Sequence, residues 1–161
     1  SIGGKGRGYR PKGFDFFDAR IRKSHPAQDL FIRDGNQDSV DDRKGIPVDV
    51  LALSSGIVLA VEKDWTPDSE WRGGNFVWVY DPCKHALVYY AHNSTIAVEV
   101  GQWVHAGDKL AEVGRTGYNA MQPRSGTHLH LMYLQINNEQ LPEPVDTYAW
   151  LLESTVMPWN E

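Results

Sequence analysis

The fold class follows from the segment NFVWVYDPCKHALVYYAH, residues 75–92. Both of its ends are rich in β-branched and aromatic residues, which favour strands. Between them, Asp81-Pro82-Cys83-Lys84-His85 contains residue types that set turns. The segment therefore predicts two strands, 75–80 and 86–92, joined as a β-hairpin.

A period of two, typical of strands, dominates the rest of the chain, and helical spacing is scarce. Further strands are predicted at 48–52, 56–63, 109–113 and 127–136. The two turn glycines within residues 98–108 predict a short strand folded back on itself, and one short helix is expected at 146–152. The fold class is therefore mainly β and antiparallel.

Composition excludes several classes of protein. The 161 residues carry a formal net charge of −5, which disfavours nucleic acid as the main partner, and a single cysteine cannot form an internal disulfide. No apolar run approaches the roughly 20 residues of a membrane span. Residues 1–24 hold seven basic and two acidic side chains, so we expect a basic N-terminal arm that is solvated or contacts an anionic surface.

Two long polar loops interrupt the strands, at residues 33–45 and 64–74. Loops of this length form either functional rims or plain surface insertions. The first is acidic and imitates the start of a calcium loop at Asp34, but Ser39 occupies the position of the turn glycine, which favours a solvated loop. In the second, Trp65 and Trp71 either pack or line a substrate groove.

The placement of the histidines is the most informative feature. A strand puts the imidazoles of His128 and His130 on one face, roughly 6.6 Å apart. His25 and Asp29 lie four residues apart and can share a cation if the chain bends. His92 ends a predicted strand and can reach a cleft. The remaining two, His85 and His105, lie in predicted turns and are expected at the surface.

Together these features resemble the lysostaphin and LytM-type zinc endopeptidases of bacterial cell walls. The resemblance covers about residues 25–136 and rests on motifs that occur in the family's order. They are HPAQD (25–29), YYAH (89–92), VGQWVHAGD (100–108), GRTG (114–117) and SGTHLH (125–130).

The resemblance implies that His25, Asp29 and His130 bind Zn²⁺ and that His92 and His128 are catalytic. Two imidazoles and one carboxylate leave a fourth tetrahedral position for water, as in catalytic zinc sites. The implied function is hydrolysis of peptide bonds in peptidoglycan stem peptides or cross-links by a zinc endopeptidase. The implied fold is a compact, barrel-sandwich-like antiparallel domain over residues 25–140 with an open active-site groove, and residues 141–161 form a tail packed on it. Such a protein works outside the cytoplasm, in the periplasm, at the envelope or secreted.

The sequence also departs from the family's pattern. Ala27 replaces a frequent glycine, and Leu131 and Met132 replace a Phe-Glu pair, so a carboxylate that would orient the site is missing. The loops after Asp29 and Gly117 are extended, which can reshape the cleft.

Two alternative functions stay open. The first is a non-catalytic relative that binds cell wall and activates a partner amidase, although relatives of this kind lose metal ligands. The second is a biotinyl or lipoyl carrier module, which needs a lysine at a hairpin tip, whereas Lys109 lies in a predicted strand. The oligomeric state and the peptide bond that is cut are not encoded in any motif.

Overall fold

The computed structural model describes residues 25–154. The predicted basic arm, residues 1–24, and the last residues, 155–161, lie outside the described residues. Within the described part of the chain, no helix is both long and apolar enough to cross a membrane.

Nine strands and one short helix make up the regular structure of residues 25–154. The strands are β1 (Gln28–Phe31), β2 (Asp49–Leu51), β3 (Gly56–Glu62), β4 (Asn75–Asp81), β5 (Ala86–Ile96), β6 (Trp103–Val104), β7 (Lys109–Val113), β8 (His128–Ile136) and β9 (Pro142–Pro144), and the helix is α1 (Tyr148–Glu153).

All nine strands belong to one antiparallel sheet. Its main path runs β1-β8-β5-β4-β3-β6, while β2 pairs with β7, β7 pairs with β5, and β9 pairs with β8. The predicted class, a mainly antiparallel β domain with little helix, is confirmed. The hairpin that decided this class is formed by β4 and β5, the pair of strands at the centre of the sheet.

Two strands were not predicted. β1 follows His25-Pro26 and has only four residues, too few for a period of two to be recognised. β9 contains Pro142 and Pro144, which cannot donate ladder hydrogen bonds. It pairs only with β8, at the edge of the sheet where such residues are tolerated.

A continuous apolar core contains buried side chains from β2, β3, β4, β5, β6, β7 and β8. Val77 and Val79 on β4 and Val88 on β5 are fully buried, while the intervening Trp78 is only partly buried. Burial of each such valine stabilises the fold by about 1.5–3 kcal/mol. The core therefore holds β5 and β8 rigidly, and both strands carry the histidines of interest.

Candidate active site

Strand pairing brings the three predicted metal ligands together. Asp29 on β1 lies directly opposite His130 on β8, which in turn lies opposite Ala91 on β5. His25 precedes β1, and its Nδ1–H donates to the carbonyl oxygen of Ala27 at 3.2 Å, so the chain bends and the ring faces Asp29.

The distances among these side chains match a metal-binding geometry. His25 Nε2 lies 3.3 Å from Asp29 Oδ2, and His130 Nδ1 lies 3.0 Å from Asp29 Oδ1. One atom from each residue lies within 4.8 Å of the other two. Ligands about 2.0–2.2 Å from a tetrahedral zinc ion are roughly 3.4 Å apart. The donor set of two nitrogens and one carboxylate oxygen therefore fits zinc and leaves a position for water.

The charges of the cluster also suit a cation. Burial raises the pKa of Asp29, but hydrogen bonds from His130 and His25 outweigh it and hold that pKa well below its usual range. The hydrogen bond to Asp29 raises the pKa of His25. The Asp29 carboxylate is thus ionised. A metal cation and a proton compete for Nε2 of His25, which faces this carboxylate.

His128 lies beside this cluster on the same face of β8, as its spacing from His130 predicts. Its side chain is buried, and Nδ1–H donates to the carbonyl oxygen of Gly126 at 2.7 Å. Nε2 therefore carries the lone pair and lies 3.8 Å from Asp29 Oδ1. Burial lowers the pKa of His128, which keeps the ring neutral near pH 7.

His92 approaches from β5 through a local distortion. The prediction that it ends this strand is wrong, because the strand continues to Ile96. The register with β4 shifts between Tyr90 and Asn93, where His92 lies, and the register with β7 shifts between Asn93 and Thr95. Its backbone is left-handed, with φ of 67°, which costs about 1–2 kcal/mol. The distortion turns the ring towards His128 and His130, with centroids 5.0 and 5.7 Å away.

The His92 ring is held in one tautomer. Its Nδ1–H donates to the carbonyl oxygen of Thr116 at 2.8 Å, which leaves the lone pair on Nε2. Burial, and then the neighbouring His130 and His128, lower the pKa of His92 to about 4. Both predicted catalytic histidines are therefore neutral bases with a free Nε2.

Polar residues around His92 maintain the distorted strand, and sequence reasoning did not identify them. The Thr116 hydroxyl donates to the Asn93 carbonyl at 2.7 Å and accepts from the Asn75 N–H at 2.8 Å. Gly117, with φ of +100°, packs so closely that a Cβ there would lie 2.8 Å from His92 Nδ1. The GRTG motif, residues 114–117, was the only sequence feature that pointed to these residues. Its Thr116 and Gly117 pack against His92.

Arg115 in the same motif holds the extended loop 117–126. Its guanidinium donates to the carbonyl oxygens of Ser125 and Gln122 at 2.8 and 3.0 Å, and to Thr127 Oγ1 at 3.0 Å. This loop ends at Gly126, whose carbonyl orients His128, so Arg115 indirectly fixes the position of that ring.

Asp29 lies in an open cleft of about 580 Å³ together with His25, His92, His128 and His130. Its wall also contains Arg72 and Gly73 from the loop 64–74 and Arg124 from the loop 117–126. Trp65 and Trp71 contact each other, which agrees with the packing alternative for this pair. Trp65 donates its indole N–H to the carbonyl oxygen of Trp71 at 2.7 Å, and neither residue belongs to the cleft wall.

Other sequence expectations concern the surface. His85 and His105 are exposed, as predicted, and Cys83 is a free, exposed thiol. Lys109 is the first residue of β7, so a strand takes the place of the hairpin tip that a carrier module needs.

An antiparallel sheet whose cleft holds two histidines and a carboxylate at ligand spacing, with two further imidazoles beside them, fits the metallopeptidase class of domain. Residues 37–142 match peptidase family M23, and the chain belongs to this family. The resemblance to lysostaphin-type enzymes is thereby confirmed. His25 and Asp29 precede the matched range. The pairing of β1 with β8 places Asp29 opposite His130, which lies within that range.

Individual relatives agree with this assignment. The chain is 31% identical over 118 residues to lysostaphin from Staphylococcus simulans, which covers 72% of this chain and 22% of lysostaphin. It is 30% identical over 118 residues to the glycyl-glycine endopeptidase ALE-1 from Staphylococcus capitis, covering 72% of this chain and 30% of that protein. The chain thus spans less than a third of these curated relatives.

Solved structures agree on the fold. The catalytic domain of lysostaphin from Staphylococcus simulans superposes with a TM-score of 0.56 at 26% identity, covering 81% of this chain and 80% of that domain. A protein from Ruminococcus gnavus that is named as a LytM glycyl-glycine endopeptidase gives a TM-score of 0.51 at 29% identity, covering 68% of this chain and 42% of that protein.

Proposed function

We propose that this protein is a zinc-dependent endopeptidase that hydrolyses peptide bonds in bacterial peptidoglycan. Membership of peptidase family M23 supports the reaction, and similarity to a glycyl-glycine endopeptidase supports the substrate class. The observation that carries the proposal is the convergence of His25, Asp29 and His130 in one open cleft, with His92 and His128 beside them.

His25 Nε2, Asp29 and His130 Nδ1 would hold the ion. When bound, zinc lowers the pKa of its water from about 15.7 to about 7 and polarises the scissile carbonyl. The strand ladders fix Asp29 and His130 against each other, so little reorganisation is needed when these two side chains bind a metal.

His128 and His92 manage protons and charge around the scissile bond. Each has its Nδ1–H bound to a backbone carbonyl, so each presents Nε2 to the cleft as a proton acceptor. A ring that takes a proton from the attacking water becomes a donor for the oxyanion or the leaving amine. The fixed tautomers remove the entropy cost of orienting both rings.

The site of action follows from the substrate. Peptidoglycan lies outside the cytoplasmic membrane, so the proposed location is extracytoplasmic: periplasm, cell envelope or secreted.

Metal analysis combined with digestion of purified peptidoglycan tests this function. The zinc content and the rate of peptide-bond cleavage are measured for wild type, Asp29→Ala and His128→Ala, with His105→Ala as the control. The control removes an imidazole that is 74% exposed and outside the cleft.

We expect Asp29→Ala to lose both zinc and cleavage. His128→Ala should retain zinc and lose cleavage by about 10²–10⁴-fold, the range for a general acid–base group. The control variant His105→Ala should cleave peptidoglycan at the wild-type rate. Wild-type protein that binds zinc but releases no new amino termini would contradict the proposal and favour the non-catalytic cell-wall-binding alternative.

A further inference from the structure

A second groove adjoins the cleft on the far side of Phe31. Its volume is about 560 Å³. Phe31 lines both depressions, and its ring packs on His128 with 4.8 Å between centroids. The other residues of the groove wall are Ile32, Arg33, Asp41, Arg43, Lys44 and Val48. Phe31 is therefore the boundary between the two depressions.

The groove is cationic although the loop that forms it is acidic in sequence. The four carboxylates of residues 33–45 accept hydrogen bonds from backbone N–H groups of the same loop. Asp41 is the only carboxylate among the described residues of the groove wall. Its two oxygens accept hydrogen bonds from the N–H groups of Arg33, Arg43 and Lys44. The acidic residues therefore shape the loop, and the guanidinium groups of Arg33 and Arg43 remain for a ligand.

Basic residues outnumber the carboxylate in the groove wall, because Arg33, Arg43 and Lys44 lie there with Asp41. Across residues 25–154, the guanidinium groups of Arg33 and Arg43 form no ion pair or side-chain hydrogen bond. The cleft has the same sign, because its charged wall residues other than Asp29 and the histidines are Arg72 and Arg124. Positive charge lining two adjoining depressions of a chain with net charge −5 points to an anionic ligand.

We propose that this groove is a substrate subsite that binds a carboxylate-bearing part of the peptide whose scissile bond lies in the cleft. The inference rests on the proposed function. Guanidinium groups bind carboxylates with two parallel hydrogen bonds, and the apolar Ile32 and Val48 accommodate the aliphatic part of such a side chain. The subsite selects peptides with free carboxylates over their amides.

Peptidoglycan before and after chemical amidation of its carboxylates provides a matched pair of substrates. The double variant Arg33→Gln/Arg43→Gln is compared with Lys63→Gln/Lys84→Gln, which removes the same charge from residues outside both depressions. Two quantities are measured at about 0.05 M salt: retention of protein on the insoluble polymer, and kcat and KM of cleavage.

We expect wild type and the lysine control to prefer the unmodified polymer about fivefold to tenfold in both retention and KM, the effect of two partly solvated ionic contacts. The arginine variant should lose most of this preference with kcat unchanged. The preference should shrink at about 0.5 M salt because exposed charges are screened.

Equal retention of wild type on both polymers would overturn the subsite, and so would an arginine variant that behaves like the lysine control. Retention does not require hydrolysis. If no variant cleaves either polymer, the proposed function fails and the retention comparison still decides whether the groove binds carboxylates.

Discussion

Replacement of Gly117 by alanine tests how the site holds His92. A Cβ at this position would lie 2.8 Å from both His92 Nδ1 and the Arg72 carbonyl oxygen, and 2.9 Å from the Gly73 carbonyl carbon. Two of these neighbours are backbone atoms, so displacing them requires a shift of the main chain. The third is the nitrogen that donates to the Thr116 carbonyl, so relief of the clash displaces the His92 ring.

Two contributions set the loss in free energy of unfolding that Gly117→Ala should cause. Alanine at φ of +100° is strained by about 1–2 kcal/mol. Forcing a methyl group into packed surroundings costs about 1–3 kcal/mol more. Gly107→Ala is the matched control, because Gly107 has a similar φ of +92° with nothing within 4 Å of an added Cβ. The stabilising loss of unfolded-state entropy is the same for both substitutions and cancels.

Urea unfolding at 25 °C is the first assay. We expect Gly117→Ala to lower the free energy of unfolding by about 2–5 kcal/mol and Gly107→Ala by only about 1–2 kcal/mol. The second assay is cleavage, where Gly117→Ala should lose tenfold to a hundredfold in kcat because a base displaced by about 1 Å is poorly aligned. Zinc content should stay unchanged, since the three ligands lie outside the clash.

Equal destabilisation by the two substitutions, with wild-type cleavage by Gly117→Ala, would refute this account of how His92 is positioned.

Three further outcomes are expected. Arg115→Met removes three hydrogen bonds and should lower the free energy of unfolding by about 2–3 kcal/mol in urea titrations; Arg115→Lys should recover less than half, because an ammonium cannot reproduce the guanidinium fork. Chelation of zinc should lower the midpoint of thermal unfolding of wild type by several degrees but leave Asp29→Asn unchanged, since a ligand at 100 times its Kd stabilises by about 2.7 kcal/mol. Burial raises the pKa of Asp34, but hydrogen bonds from Thr127, Ser39 and Asp38 outweigh burial and lower that pKa. The ionised Asp34 therefore stabilises the fold above the unfolded-state pKa of 3.8, and this stabilisation is lost as the pH falls through the lower folded-state pKa. Thr127→Val should therefore flatten the decline of stability as the pH falls below the unfolded-state value of 3.8, and an unchanged slope would contradict the assignment.

Much of the fold was predictable because strand and turn preferences are local. The hairpin of β4 and β5 follows from β-branched and aromatic runs around a turn segment, and β7 has the predicted bounds, 109–113. The spacing of His128 and His130 placed both rings on one face of β8 because a strand repeats every two residues. Nothing local marked β1, so the partner strand that carries Asp29 was missed.

The sequence alone determined the kind of chemistry available: its donor types, their spacing within each motif and the β class of the scaffold. Tertiary structure decided how those groups meet. Asp29 and His130 are 101 positions apart, and only the register of β1 on β8 sets their 3.0 Å contact. Left-handed His92 and the cationic groove formed by an acidic loop likewise depend on hydrogen bonds to specific partners, which no pattern of residue types along the chain specifies.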